Sequence, residues 1–160
     1  TAVGEVIGPV EIGPVAHGGH CVARLDGRVI FVRHAIPGEL VTIRLTDVGK
    51  KKFWRGDVHE VLRPAPERVP RVCPVAGRCG GCDFQHVDPV HQRELKRRVV
   101  AEQLERLAGL TWQGRVEKVA DSPLGWRTRM RYLTEDGTAG LRAHRSHDVV
   151  EMPVPSGCRL

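Results

Sequence analysis

Cys73, Cys79 and Cys82 form a Cys-x5-Cys-x2-Cys run, a spacing that lets one short loop aim three thiolates at a single centre. Gly77, Gly80 and Gly81 lie in the same stretch and let the backbone wrap tightly around something bulky. A structural zinc site more often shows two Cys-x2-Cys knuckles, so that two tight turns share one small tetrahedral ion. Here one such pair has a single cysteine upstream, and a fourth ligand has to come from a distance. Cys158 is the first candidate, with His86 and Cys21 as the others. Mixed spacings closed by a remote cysteine suit an iron–sulfur cubane, while zinc and redox thiols stay open on spacing alone. The five cysteines are odd in number and follow no export signal, so a disulfide framework is not expected and a reducing cytoplasm is. Cys21 alternates with Ala23 and Leu25, which points to a core residue rather than a ligand or nucleophile. His17 and His20 flank glycines and receive no role.

Two basic features could meet a polyanion. Lys50, Lys51, Lys52, Phe53, Trp54 and Arg55 combine cations with two aromatic rings in one predicted loop, which suits phosphate contact and base stacking. Arg127, Arg129 and Arg131 alternate with Trp126, Thr128, Met130 and Tyr132, so a strand would place the three arginines on one face. Arg142, Arg145 and His144 would stand nearby on partnering strands. Each feature also has a structural use. Phe53 or Trp54 can fold into a core, and the arginines can pair with Glu135, Asp136 and Glu151.

The elements that must carry these residues are mostly short strands. An opening strand is expected near Glu5–Val10, and Cys21–Leu25 and Arg28–Val32 flank Asp26-Gly27, a two-residue hairpin turn. Val41, Ile43 and Leu45 alternate with polar neighbours, residues 48–54 read as a basic loop, and Gly56–Leu62 reads as a further strand. About five strands in residues 1–62 match a small OB-like barrel. Residues 63–70 hold three prolines, which exclude helix and central strand, and read as a linker. Residues 71–160 read as a second, α+β unit. Asp88-Pro89 opens a helix that Gly109 closes, with Leu95, Val99, Leu104, Leu107 and Ala108 near helical spacing. Glu94–Arg98 and Glu102–Arg106 are expected to pair on its solvent side. Strands are then predicted at 126–132, 140–143 and 148–152, with a turn at Glu135-Asp-Gly137.

Composition agrees with this picture. The 160 residues are 41% apolar and 28% charged, enough to bury a core, and 18 Gly with 11 Pro favour turns and short strands over a helical bundle. The net charge of +6 is spread along the chain, and permits nucleic-acid binding without demanding it. No apolar run is long enough for a membrane span, and the start lacks the charge and apolar run of a signal peptide. A first residue of Thr and a last residue two positions after Cys158 suggest a piece of a longer protein.

The run Cys73-Pro-Val-Ala-Gly-Arg-Cys-Gly-Gly-Cys-Asp-Phe-Gln-His86, after a barrel holding Val32-Arg-His-Ala-Ile-Pro-Gly-Glu39, resembles the SAM-dependent RNA (uracil-C5)-methyltransferases of 23S rRNA and tRNA. Trp126-Arg-x-Arg129, and Gly140-x-Arg-x-His-Arg-Ser-His-Asp-Val-Val150 followed by Cys158, resemble that family's central domain. The resemblance covers essentially the whole chain. It implies a mainly β fold with an α+β part: residues 1–62 as a TRAM barrel that binds RNA, then a small iron–sulfur domain. It also implies that Cys73, Cys79, Cys82 and Cys158 hold a 4Fe–4S cluster. The family's Rossmann-like domain, which binds S-adenosylmethionine and carries the catalytic cysteine, has no counterpart here. No glycine-rich strand-to-helix turn is present to cradle such a cofactor. The chain alone is therefore expected to transfer no methyl group, and Cys21 is not promoted to nucleophile for being spare. RNA is the expected partner, with no DNA and no membrane. The other reading is a stand-alone RNA-binding module with a zinc or iron–sulfur site and no activity.

Overall fold

A computed structural model describes residues 1–49 and 52–152. Five strands close into a barrel: β1 (Val6–Val15), β2 (Cys21–Leu25), β3 (Arg28–Arg33), β4 (Leu40–Asp47) and β5 (Phe53–Arg63), in the order β1-β2-β3-β5-β4. β3 and β5 run parallel, and the other pairs run antiparallel. Asp26 and Gly27, both at positive φ (48° and 76°), make the tight hairpin that joins β2 to β3 and matches the strand twist. Ile12, Cys21, Ala23, Ile30, Val32, Val41, Ile43 and Leu45 point inward and fill the barrel.

The opening strand is longer than expected, because bulges let β1 bend and pair with both β2 and β4. The basic segment also needs correction. Phe53, Trp54 and Arg55 are not on a loop tip but begin β5, in register with Val29, Ile30 and Phe31 of β3. Lys52 is exposed just before the strand, and Lys50 and Lys51 lie outside the described residues.

The proline-rich stretch is pinned rather than free. Arg68 bridges to Val87, Val69 N–H donates to the His86 carbonyl at 3.0 Å, and Asp88 N–H donates to the Glu67 carbonyl at 2.8 Å. The helix α1 (Pro89–Ala108) follows as the sequence suggests. Asp88 caps it by accepting from Val90 and His91 N–H, and Gly109 ends it at φ 65°. Its apolar stripe is only partly used. Leu95 is fully buried against the barrel core beside Val87, Val99 is half-buried, and Leu107 is 76% exposed. Glu94 bonds Arg97 and Arg98, and Glu102 lies 3.8 Å from Arg106.

The expected strand at 126–132 is absent. These residues have no regular structure, Trp126 and all three arginines are exposed, and among the described residues no strand pairs with them. A small antiparallel sheet begins only afterwards: β6 (Leu133–Glu135), β7 (Thr138–Arg142) and β8 (Val149–Glu151), with the Asp136-Gly137 turn at positive φ. Val150 and Met152 pack with Cys79 in a second, smaller core.

Candidate functional site

The thiol loop is built against β7. Gly80 N–H donates to the Arg142 carbonyl at 2.9 Å, and Cys79 bridges to Ala143. A side chain at Gly80 would sit 3.0 Å from that carbonyl and 3.1 Å from His144 Cα, so a larger residue would have to push this backbone back by a few tenths of an ångström. Cys73 and Cys79 are buried and Cys82 is half-buried. Gly81 N–H points at Cys79 Sγ (3.3 Å) and Gln85 Nε2–H at Cys82 Sγ (3.1 Å). The same Gln85 side chain accepts from Cys73 N–H at 3.1 Å, and so ties two of the cysteines together. N–H donors aimed at sulfur stabilise thiolate charge and are the outer shell that metal-bound thiolates use. Among the described residues no three metal-ligating side chains close on one point, and Cys158 lies outside them.

His86 and Cys21, the other candidate ligands, are occupied on the barrel side. His86 Nε2 donates to the Ala35 carbonyl at 3.1 Å, which leaves its buried Nδ1 without a partner. Cys21 Sγ reaches the same carbonyl at 3.5 Å, and burial pushes its thiol up to about 12. A thiol so placed is inert.

The basic residues resolve into one group that assembles and one that does not. Strand alternation turns Trp54, Gly56 and Val58 toward the core and leaves Phe53, Arg55 and Asp57 on the outer face of β5. Across the parallel pair, Phe31 and Arg33 take the same face of β3. Phe31 and Phe53 meet edge to face with centroids 5.1 Å apart, and the Arg55 guanidinium lies 5.5 Å and 5.2 Å from their rings. Arg28 covers the Trp54 ring at 4.8 Å.

This face runs into a cavity of about 340 Å³ between the barrel and the turn after β7, lined by Arg33, Thr46, Asp47, Arg55, Asp57, His144 and Arg145. Arg33 is 5% exposed and faces Asp57 at 3.8 Å and Asp83 at 3.4 Å. Burial lifts the Asp57 carboxyl, and Arg33 works against that shift. Burial, then the Arg145 charge, lowers Arg55. His20, whose ring lies 5.8 Å from that of His144, is lowered to about 4, first by burial and then by Arg55.

Of the residues expected from sequence, the structure therefore joins Phe53, Arg55 and Arg145. Arg142 stands exposed on β7, and Arg127, Arg129 and Arg131 lie on the irregular segment, with Arg127 over the Trp126 ring at 4.9 Å. Phe31 and Arg33 were missed. Their signal was the alternation in β3, where they occupy the positions opposite the buried Ile30 and Val32.

Comparison with known proteins bears on both halves of the site. Residues 1–58 match the TRAM domain. Over 88% of its length the chain is 51% identical to an uncharacterized RNA methyltransferase of Streptomyces coelicolor, and 52% identical to one of Streptomyces avermitilis. It is 36% identical, again over 88% of its length, to the 23S rRNA (uracil(1939)-C(5))-methyltransferase of Dichelobacter nodosus. The chain belongs to the RNA methyltransferase family. It spans about a third of the length of these curated relatives, 34% to 36%. The barrel face lies within the region that matches the TRAM domain, and His144 and Arg145 outside that region complete the cavity. No helix among the described residues is long and apolar enough to cross a membrane.

Proposed function

We propose that this chain is the RNA-recognition and iron–sulfur portion of a SAM-dependent uridine C5-methyltransferase acting on rRNA or tRNA in the cytoplasm. The observation that carries this reading is the TRAM barrel's outer face, where Arg55 packs on two aromatic rings and also lines, with Arg33, a cavity beside the thiol loop. Cations in a concave site attract phosphate, and exposed ring faces and edges accept unstacked bases. Cys73, Cys79 and Cys82 would hold a 4Fe–4S cluster with Cys158 as the remaining ligand. Three features support this donor set: burial of two thiols, sulfur-directed N–H groups, and a glycine that permits close packing on β7. A cluster held by four thiolates supplies a structural cross-link here. Gln85 orients the loop, and His86 fastens it to the barrel.

Methyl transfer is assigned to a part of the parent protein beyond this chain. The helix α1 follows the thiol loop and not a strand with a glycine-rich turn, so it offers no cradle for S-adenosylmethionine. Protein purified without oxygen is expected to carry about four iron and four acid-labile sulfide per chain. It should retain uridine-containing RNA on a filter and form no methylated product from added S-adenosylmethionine. One zinc and no sulfide would replace the cluster with a zinc site. Loss of RNA retention would overturn the recognition role, and turnover would overturn the division of labour.

A further inference from the structure

The cavity between the barrel and the turn after β7 draws three arginines and three aspartates together but pairs them unevenly. Asp57 and Asp83 face Arg33, and Asp47 Oδ1 accepts from Gly49 N–H at 2.9 Å. Arg55 and Arg145 line the same space, and among the described residues neither has a carboxylate within ion-pair distance. Asp47 lines the cavity too and its charge acts on Arg55, so the two guanidinium groups are only partly screened from each other. The Nε atoms of Arg33 and Arg55 are buried and lack hydrogen-bond partners. Arg145 itself sits at φ 54°, a left-handed backbone that is unfavourable for a residue with a long side chain. Phe31 and Phe53 lie on the same strand face, half-buried, and Arg55 is shared between their rings and the cavity.

We propose that Arg55 and Arg145 clamp one backbone phosphate of an unpaired RNA nucleotide whose base stacks on the Phe31–Phe53 edge. The site is composite: the barrel supplies the stacking face and one guanidinium, and the turn after β7 supplies the other. Planar guanidinium forks match phosphate oxygens two at a time, which a lysine in either place would not reproduce. Stacking accepts any base, so this notch holds a nucleotide without reading its identity. An acidic peptide could satisfy the arginines but would bring no planar base to the aromatic pair beside Arg55. The proposal rests on the RNA-recognition reading above.

The test is fluorescence anisotropy of the whole chain with a short labelled oligouridine, across a range of salt. Phe53→Leu should weaken binding about tenfold and leave the salt slope unchanged, because only stacking is lost. Arg145→Ala, at an exposed turn, should weaken binding and reduce the slope by about 0.7, the share of one phosphate on a single strand. A strand of abasic sugar phosphates should bind the unaltered chain about tenfold less well than oligouridine, and should bind Phe53→Leu no worse than oligouridine does. That cycle separates a lost stack from a damaged fold. If the unaltered chain ignores oligouridine, RNA recognition fails together with the notch. If it binds but both variants match it in affinity and slope, the notch is wrong and RNA recognition stands. Equal competition by an acidic peptide of matching charge would also overturn the nucleotide assignment.

Discussion

Glu39 is fully buried and accepts four hydrogen bonds: from the backbone N–H groups of Ile36 and Ala65, and from Nε and Nη2 of Arg68. Burial opposes its ionisation, yet the guanidinium and the two amides outweigh that cost and hold the carboxyl below its usual range. Arg68 also donates to the His34 carbonyl at 2.7 Å, so one side chain of the proline-rich stretch locks the turn between β3 and β4. Glu39→Gln keeps the shape but leaves Arg68 with a charge and no counter-charge. It is expected to lower stability by about 3 kcal/mol, read as a shift in urea midpoint with unchanged slope. A shift below about 1 kcal/mol would show that water reaches Arg68 and the pair is not a clamp. At this scale the sequence was legible where function depends on one residue's surroundings a few positions away. The Cys21 alternation and the Asp88 cap are of that kind. It was silent on Glu39 and Arg68, which meet across twenty-nine residues of sequence, and on Phe31, whose role depends on a parallel neighbour.

The strands show why local pattern succeeded in the barrel and failed after the helix. In β2 through β5 each alternating run has a neighbour on both sides, and the buried face of each is set by the shared core. Residues 126–132 alternate just as regularly, but among the described residues no strand pairs with them, and alternation without a paired neighbour does not make a strand. The basic segment before β5 misled for the opposite reason. Its lysines look like a loop, yet pairing to β3 extends the strand back to Phe53. Gly56 belongs to this scale as well. A Cβ there would lie 2.4 Å from Ile43 Cγ2 and 2.8 Å from the Arg44 carbonyl, where β4 and β5 cross tightly. Gly56→Ala is therefore expected to cost roughly 2 to 3 kcal/mol by overpacking, measurable as a lower thermal midpoint. Gly27→Ala, with open space around it, should cost less and act only through its positive φ. Equal effects of the two would show that β4 can move aside.

At the scale of the whole molecule, the barrel and the thiol loop are joined by neutral histidines as well as by the Arg68 clamp. His34 and His86 meet edge to face at 5.8 Å. Burial, then nearby arginines, lowers His34 to about 3. Burial also lowers His86, to about 4, despite the helping hydrogen bond to Ala35. Both therefore accept protons more readily when unfolded, near pH 6.5, than when folded. Their contribution is complete above that value and drains away as the pH falls toward the folded values. Between pH 7.5 and 5.5 the loss should be roughly 1 kcal/mol for each histidine, checked by urea unfolding at both pH values. His86→Gln should remove about half of the decline; a flat profile in the unaltered chain would mean that these rings stay hydrated.

The parallel pairing of β5 with β3 sets an order of events during synthesis. Until Arg63 has left the ribosome, β3 presents an open edge and the hydrophobic interior has no closing wall. Most contacts that complete the barrel span long stretches of sequence, so closure is slow compared with helix formation. The exposed intermediate is a point where a nascent chain can pair with another copy of itself. A polar, lysine-rich tract just ahead of the closing strand is well placed to keep such chains apart while they wait.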